Sequence, residues 1–242
     1  MVSKNQTKLI SSLQFKKFRD TTGLFAAEGP KVIDELLKEG LKLHWLFTTD
    51  EALVDLPNHY SVSDLELKKM SFLKAPNTSL AVFHIPKQEP SIKMGLIVVL
   101  DAVRDPGNLG TIIRLCDWFG VEQLICSPDT ADCYNPKVVQ ATMGSLARVK
   151  VHYLPLANYL KDIELPIFGG FMDGNNIYAE TLPSEAIIVM GNEANGISEE
   201  IISKITQKIS IPRFGKIQKA ESLNVATATG ILLSEFRRFT EK

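Results

Sequence analysis

Residues 100–120 read LDAVRDPGNLGTIIRLCDWFG: the end of an apolar run passes through Asp105-Pro106-Gly107-Asn108 into a helical pattern that carries Gly110 and Arg114. Two later stretches share the design, IIVMGNEANGIS at 187–198 and ISIPRFGKIQKAESLNVATATGILLSEF at 209–236. Each leads from a strand-like segment into a Gly/Asn-rich loop that opens a helix, where backbone N–H groups are free to hold a ligand. From Leu96 onward strands and helices alternate, which predicts a mostly parallel sheet covered on both faces. In such sheets ligands sit beyond the carboxyl ends of the strands.

The strand-like runs are Leu96 to Leu100, Gln123 to Cys126, Lys150 to Tyr153, Ile167 to Phe171 and Ile187 to Met190. Helices are expected from about Asn108 to Phe119, Pro136 to Gly144 and Ser222 to Phe239. Before them comes a smaller α/β unit, with helices over 6–20 and 28–39 and strands at Leu43 to Phe47, Leu80 to Ile85 and around Val62. HIPKQEPSIKMG, from His84 to Gly95, has the prolines and mixed charge of a linker, which places a boundary near residue 93 and gives domains of 1–93 and 94–242.

Hydrophobic residues make up 45% of the 242 and charged residues 23%, the balance of an ordinary globular chain. No apolar run is long enough to span a bilayer, and MVSKNQTKLISSLQFKK lacks the apolar stretch of a secretion signal, so a cytoplasmic protein without membrane association is expected. Cys116, Cys126 and Cys133 are odd in number and form no CxxC pair, so neither a disulfide framework nor a metal site is indicated. His44, His59, His84 and His152 are scattered, which argues against histidine general catalysis. The net charge of −1 does not announce a nucleic-acid binder, but its distribution is uneven. Lys4, Lys8, Lys16, Lys17 and Arg19 all precede the first acid, Asp20, and Arg213, Lys216 and Lys219 cluster in the third stretch. A solvated helix face explains the first group as well as phosphate binding does.

Single motifs here have plain structural readings. Asn108 and Ser222 can cap the helices they precede, GNExxG can be a simple strand-to-helix turn, and Ala226, Ala228 and Gly230 can serve close helix packing. Taken together, however, DPGNLGTIIRLCDWFG, GNEANG and IPRFGKIQKAESLN resemble the three motifs of the SpoU (TrmH-like) branch of the SPOUT superfamily, RNA ribose 2′-O-methyltransferases. SLQFKKFRDTTGLFAAEGPKVIDELL and LKAPNTSLAVFHIP resemble the ribosomal-protein-like substrate-binding domain that many of these enzymes carry, so the likeness covers nearly the whole chain.

The resemblance implies an α/β SPOUT fold whose C-terminal segment makes a trefoil knot that forms the cofactor pocket, preceded by a smaller RNA-binding domain. It implies S-adenosyl-L-methionine as cofactor, with Gly191, Ile211 and Leu223 lending backbone contacts. It also implies a catalytic constellation of Asn108, Arg114, Glu193, Ser222 and Asn224. Arg114 would engage the RNA; because a free guanidine has a pKa above about 12, phosphate binding and stabilisation of the forming alkoxide suit it better than acting as a base. Lys16, Lys17 and Arg19 would contact substrate RNA, ribosomal rather than transfer RNA given two domains, and a homodimer is implied. Departures from the family pattern are Asn192, where Ser or Ala is common, and a third-motif loop longer by about three residues, as the resemblance has it. Met143-Gly144-Ser145 also resembles a family segment. Two other functional classes fit the residues less well. A catalytically inactive assembly factor should have eroded site residues, and this chain keeps them; a nucleotide-binding oxidoreductase needs a GxGxxG that is absent.

Overall fold

The computed structural model describes residues 2–49, 58–87, 91, 93–215 and 222–238. They form two compact units, Met1–Gln88 with Asp132–Arg148, and Glu89–Ala131 with Val149–Lys242.

The first unit opens with α1 (Lys4–Ser12) and α2 (Lys16–Thr22), followed by β1 (Leu24–Glu28), α3 (Pro30–Lys38), β2 (Leu43–Thr48), β3 (His59–Ser61), α4 (Asp64–Met70) and β4 (Ser79–His84). Its sheet has the order β1-β4-β2-β3, antiparallel except for the β2–β3 pair. The spacing over 6–20 predicts one helix, yet two form. In a continuous helix the Leu13 carbonyl would accept from the N–H of residue 17. Here it accepts from Arg19 Nη1 at 2.6 Å, and Phe15 turns extended. Leu13 and Ile10 are thereby sealed into a core with Phe47, Leu80 and Val82. β1 is not among the strands expected from sequence; its five residues are all buried and pair along β4 from Leu24↔His84 to Glu28↔Leu80.

The second unit is built on β5 (Leu96–Leu100), α5 (Pro106–Trp118) and β6 (Gln123–Cys126). Asp132–Arg148, with α6 (Pro136–Thr142), groups with the first unit although it lies well past residue 93 in the chain. There the Tyr134 ring lies 4.9 Å from that of Phe25, tilted by 45°, and Gly144 lies so close to Glu35 that an added Cβ would sit 2.5 Å from the Glu35 Cβ. The chain then returns to the second unit for β7 (Lys150–Tyr153), α7 (Leu156–Tyr159), β8 (Ile167–Asn176), β9 (Ala186–Met190), α8 (Glu199–Ile202), β10 (Gln207–Ser210) and α9 (Val225–Arg237).

Its sheet, in the order β10-β8-β9-β5-β6-β7, is parallel throughout. β5 and β9, LIVVL and AIIVM, are buried along their whole length, as central strands covered on both faces must be. β10 pairs with β8 in two pieces: the register jumps from Lys208↔Gly169 to Ile209↔Asn175, so residues 170–174 bow out of the ladder. No helix of the described residues is long and apolar enough to cross a membrane.

Candidate active site

The carboxyl ends of β5, β9 and β10 each deliver one of the three loops. After β5, Asp101 is buried and its carboxylate accepts from the Ser198 N–H at 2.7 Å, which ties the first loop to the second. Ala102 adopts φ 58°, a left-handed conformation that L side chains favour little. Both of its backbone groups are engaged: its N–H donates to Ser127 Oγ at 2.9 Å and its carbonyl accepts from Asn192 Nδ2 at 2.7 Å. Asp129 in turn accepts from Ser127 Oγ and Arg104, and these bonds hold its carboxyl below the ordinary carboxylate value. Asn192, the residue that departs from the family pattern, is therefore a strut between loops, and its Oδ1 also accepts from the Ala194 and Asn195 N–H groups.

The caps differ from those expected. Asp105, not Asn108, caps α5, accepting from the Asn108 N–H at 2.8 Å, with Pro106 at the first helical position where its missing N–H does no harm. Asn224, not Ser222, caps α9, its Oδ1 accepting from the N–H groups of Ala226 and Thr227. The Asn108 amide is thereby free of capping, and that of Asn224 caps with its oxygen and keeps its N–H groups. Asn224 Nδ2 donates to Asn108 Oδ1 at 2.8 Å, and Asn108 Nδ2 donates to Glu193 Oε1 at 2.6 Å. The network fixes both amide orientations, because the helix end demands an oxygen of Asn224 and the carboxylate demands an N–H of Asn108. The result is a directed chain from the α9 N-terminus to the Glu193 carboxylate.

Glu193 also lines a mostly apolar cavity of about 410 Å³, within the usual range for small-molecule sites. Gly191, Ile211, Ser222 and Leu223 line it, together with residues not singled out in sequence: Gly170, Phe171 and Met172 from the bowed part of β8, and Met190. The Gly169-Gly170 pair inside a strand was the available signal, since glycine there marks close approach. Gly191 admits no side chain: a Cβ would sit 2.2 Å from the Gly196 carbonyl carbon. On the other side of the amide chain is a second, more open hollow lined by Asn108, Thr111, Leu115, Asn224 and Gly230. Gly230 lets α9 close on α5, where a Cβ would come within 3.3 Å of Leu115.

Of the residues predicted from sequence, the structure brings together Asn108, Glu193 and Asn224 by hydrogen bonds, and Gly191, Ile211, Ser222 and Leu223 around one cavity. Arg114 is exposed on α5 and lines neither hollow; six residues beyond Asn108, it is turned about 120° around the helix from it. Lys16 and Lys17 are exposed on α2 of the first unit. Arg19 is not part of that surface. It is 2% exposed, its Nε and Nη2 donate to Asp132 Oδ2 at 3.0 and 2.5 Å, and it serves as a strut of the first unit. Lys216 and Lys219 lie outside the described residues, as does most of the long third-motif loop.

Residues 95–234 match the SpoU rRNA Methylase family, and residues 4–81 match the MRM3-like substrate binding domain. The chain is 30% identical to the 23S rRNA (guanosine(2553)-2′-O)-methyltransferase RlmP of Bacillus subtilis (strain 168), over 97% of each protein. It is 35% identical to the 23S rRNA (guanosine-2′-O-)-methyltransferase RlmB of Neisseria meningitidis over 59% of this chain and 58% of the relative. Among solved structures, a TrmH-family protein from Porphyromonas gingivalis superposes with a TM-score of 0.89 at 38% identity, covering 98% of this chain and 99% of the other. An AdoMet-bound rRNA methyltransferase from Sinorhizobium meliloti does so with a TM-score of 0.87 at 28% identity, covering 100% and 98%. With three converging loops, an α/β parallel sheet and a family match over most of the sheet-bearing unit, the chain belongs to the SpoU rRNA methylase family.

Proposed function

We propose that this chain is an RNA ribose 2′-O-methyltransferase acting on ribosomal RNA, with S-adenosyl-L-methionine as methyl donor. The observation that carries the reading is the Glu193–Asn108–Asn224 chain, which joins all three motifs beside the glycine-walled cavity. The full-length likeness to a 23S rRNA 2′-O-methyltransferase and the AdoMet-bound relative support the same activity and cofactor.

The residues present fit the cofactor. Gly191 lets the loop fold tightly onto Gly196 and Ile197 at the cavity wall, and Ile211, Ser222 and Leu223 line the same cavity. Bound there, S-adenosylmethionine supplies a methyl group already activated on a sulfonium sulfur. The chain's own work is alignment and electrostatics: an in-line transfer needs the accepting oxygen held close and its developing negative charge offset. Asn108, held at both ends of its amide, keeps the first loop in register with Glu193. Ser222 completes the cavity wall, Asn224 orients Asn108, and Arg114 meets the RNA phosphate. Because Arg114 carries five N–H donors and no acceptor, it serves as electrostatic stabiliser rather than proton acceptor.

The finer expectations belong to the same reading. The first unit binds the RNA, with Lys16 and Lys17 on its surface, and the second carries the chemistry. The C-terminal segment is threaded as a trefoil knot, in keeping with a β8 that bows out between its two pairings with β10. The enzyme is a cytoplasmic homodimer; the open face of α5 and α9, with Leu115 and Ile231 in it, and the 84% exposed Trp118 of α5 are suited to a second copy. Light scattering at working concentration distinguishes dimer from monomer.

The decisive experiment maps ribose methylation in total RNA from cells with and without the gene. One 2′-O-methyl mark in ribosomal RNA should vanish and return on complementation. An unchanged map, with normal expression of the protein, would overturn the reading and favour an assembly factor without catalysis.

A further inference from the structure

The first turn of α2 breaks the rules for starting a helix. Its N-cap is Phe15, with no side-chain hydrogen bond to the helix, at a position where Ser, Thr, Asp or Asn contributes about 0.5–2 kcal/mol over a residue that cannot cap. The next two residues are Lys16 and Lys17, and no acid occupies the turn, although the positive end of a helix favours anions there. The two phenylalanines of this turn are not repaid by burial. Phe15 is 56% exposed and Phe18 44%, and neither belongs to the core that holds Ile10 and Leu13. An aromatic pair left exposed beside a helix start that it does not cap is the pattern expected of a binding site.

The two rings lie against each other, centroids 6.4 Å apart and inclined by 56°, so they present one aromatic surface rather than two isolated side chains. The lysines between them in sequence, Lys16 and Lys17, are exposed on the same turn. Arg19, the third cation of the run, is buried on Asp132 and contributes no charge to that surface. The patch therefore offers π-faces and ammonium groups together.

We propose that Phe15 and Phe18 form a stacking platform for unpaired nucleobases, with Lys16 and Lys17 holding the adjoining phosphates, so that the first unit recognises a single-stranded element of the RNA rather than a duplex. In an A-form duplex the base faces are covered by their neighbours, whereas in a loop or bulge they are free to stack on aromatic side chains. Cations with exposed aromatics meet both halves of such a ligand. This inference rests on the RNA-methyltransferase reading for the identity of the polymer, and goes beyond it in naming the structural class of RNA and the side chains that select it.

The test uses the full chain and three fluorescent probes of equal length: an oligo(A) strand, an abasic oligoribonucleotide and an A-form RNA duplex. Wild type should bind oligo(A) most tightly. Stacking is worth about 1–3 kcal/mol per base, so F15A/F18A should weaken oligo(A) binding by roughly tenfold or more and leave the abasic strand within about twofold. F15L/F18L, which keeps apolar bulk without a π-face, should lose the same preference, and matching thermal melts identify folded variants. K16A/K17A should weaken oligo(A) and abasic strand alike and reduce the salt slope by about 0.7 per lysine. Equal wild-type affinity for oligo(A) and abasic strand would overturn the proposal. So would F15A/F18A that binds oligo(A) normally but loses a dimer by light scattering, or wild type that prefers anionic vesicles to oligo(A). The function reading is tested separately by S-adenosylmethionine calorimetry and the cellular methylation map, neither of which depends on these phenylalanines.

Discussion

Asn224 Nδ2 donates to Asn108 Oδ1 at 2.8 Å, a bond across 116 positions of sequence, while the other end of the same amide caps α9. These two duties can be separated. Asn224→Asp keeps a capping oxygen and removes the donor, leaving Asn108 facing a carboxylate. Stability should change by less than about 0.5 kcal/mol, because Asp and Asn cap equally well. Methylation should fall roughly 5- to 150-fold, the equivalent of a lost partner at about 1–3 kcal/mol. Urea melts with single-turnover rates check both, and loss of stability in step with loss of rate would mean that only the cap matters.

Gly191→Ala places a methyl group 2.2 Å from the Gly196 carbonyl carbon, with Asn192 and Gly196 locked by reciprocal backbone bonds of 2.9 and 2.8 Å. The backbone must shift, at about 1–3 kcal/mol of overpacking, and S-adenosylmethionine affinity should drop roughly 5- to 150-fold. Calorimetry reads this directly. Undiminished affinity would remove the glycine wall from the cofactor site.

Arg114→Ala should abolish methylation while S-adenosylmethionine affinity stays within about threefold, since Arg114 is exposed on α5 and lines no part of the Gly191 cavity. An equal loss of cofactor binding would place it on the donor side instead.

Arg19→Ala is a stability variant. It strips the partner from Asp132, half of a largely buried pair, at roughly 3–5 kcal/mol. The salt slope of RNA binding should not change where the chain remains folded. A normal melt with a shallower slope would return Arg19 to the RNA surface.

Glu28 sets a pH dependence in the first unit. Burial raises its pKa above the ordinary 4.5 and outweighs the hydrogen bonds from Ser71 and the Phe72 N–H. The folded chain then holds this proton more tightly than the unfolded chain does. The stability linked to it is complete below pH 4.5 and is lost as pH rises through the folded value. Glu28→Gln mimics the protonated group, so its urea-melt stability should decline less than that of wild type as pH rises from 4.5 toward neutrality. Parallel curves would exclude Glu28 as the cause.

Much of the second unit is legible in sequence because its strands are short buried runs between turn residues; β5, β6 and β7 fall where the apolar runs do. The three motif loops are legible for the same reason, and their meeting follows from a parallel sheet that brings carboxyl ends to one edge. What escapes is set by distant partners. No local signal separates Arg19 from Lys16 and Lys17; its carboxylate partner lies 113 residues away. Nor does periodicity reveal that Asp132–Arg148 groups with the first unit, or that β1 is a strand. α4 is also absent from the expected elements, although Ser63 and Glu66 form a capping box at its start. At the caps of α5 and α9 the nearer-looking residue lost to a neighbour, Asp105 over Asn108 and Asn224 over Ser222, which freed one amide and gave the other two duties.

The directed amide chain has a consequence for biogenesis. Its first link is the end of the last helix, so a nascent polypeptide that has not yet released that helix from the ribosome carries Asn108 and Glu193 without the residue that orients them. Competence then waits for Asn224 to be made and folded, and polypeptides terminated upstream of it should be inert in a methylation assay.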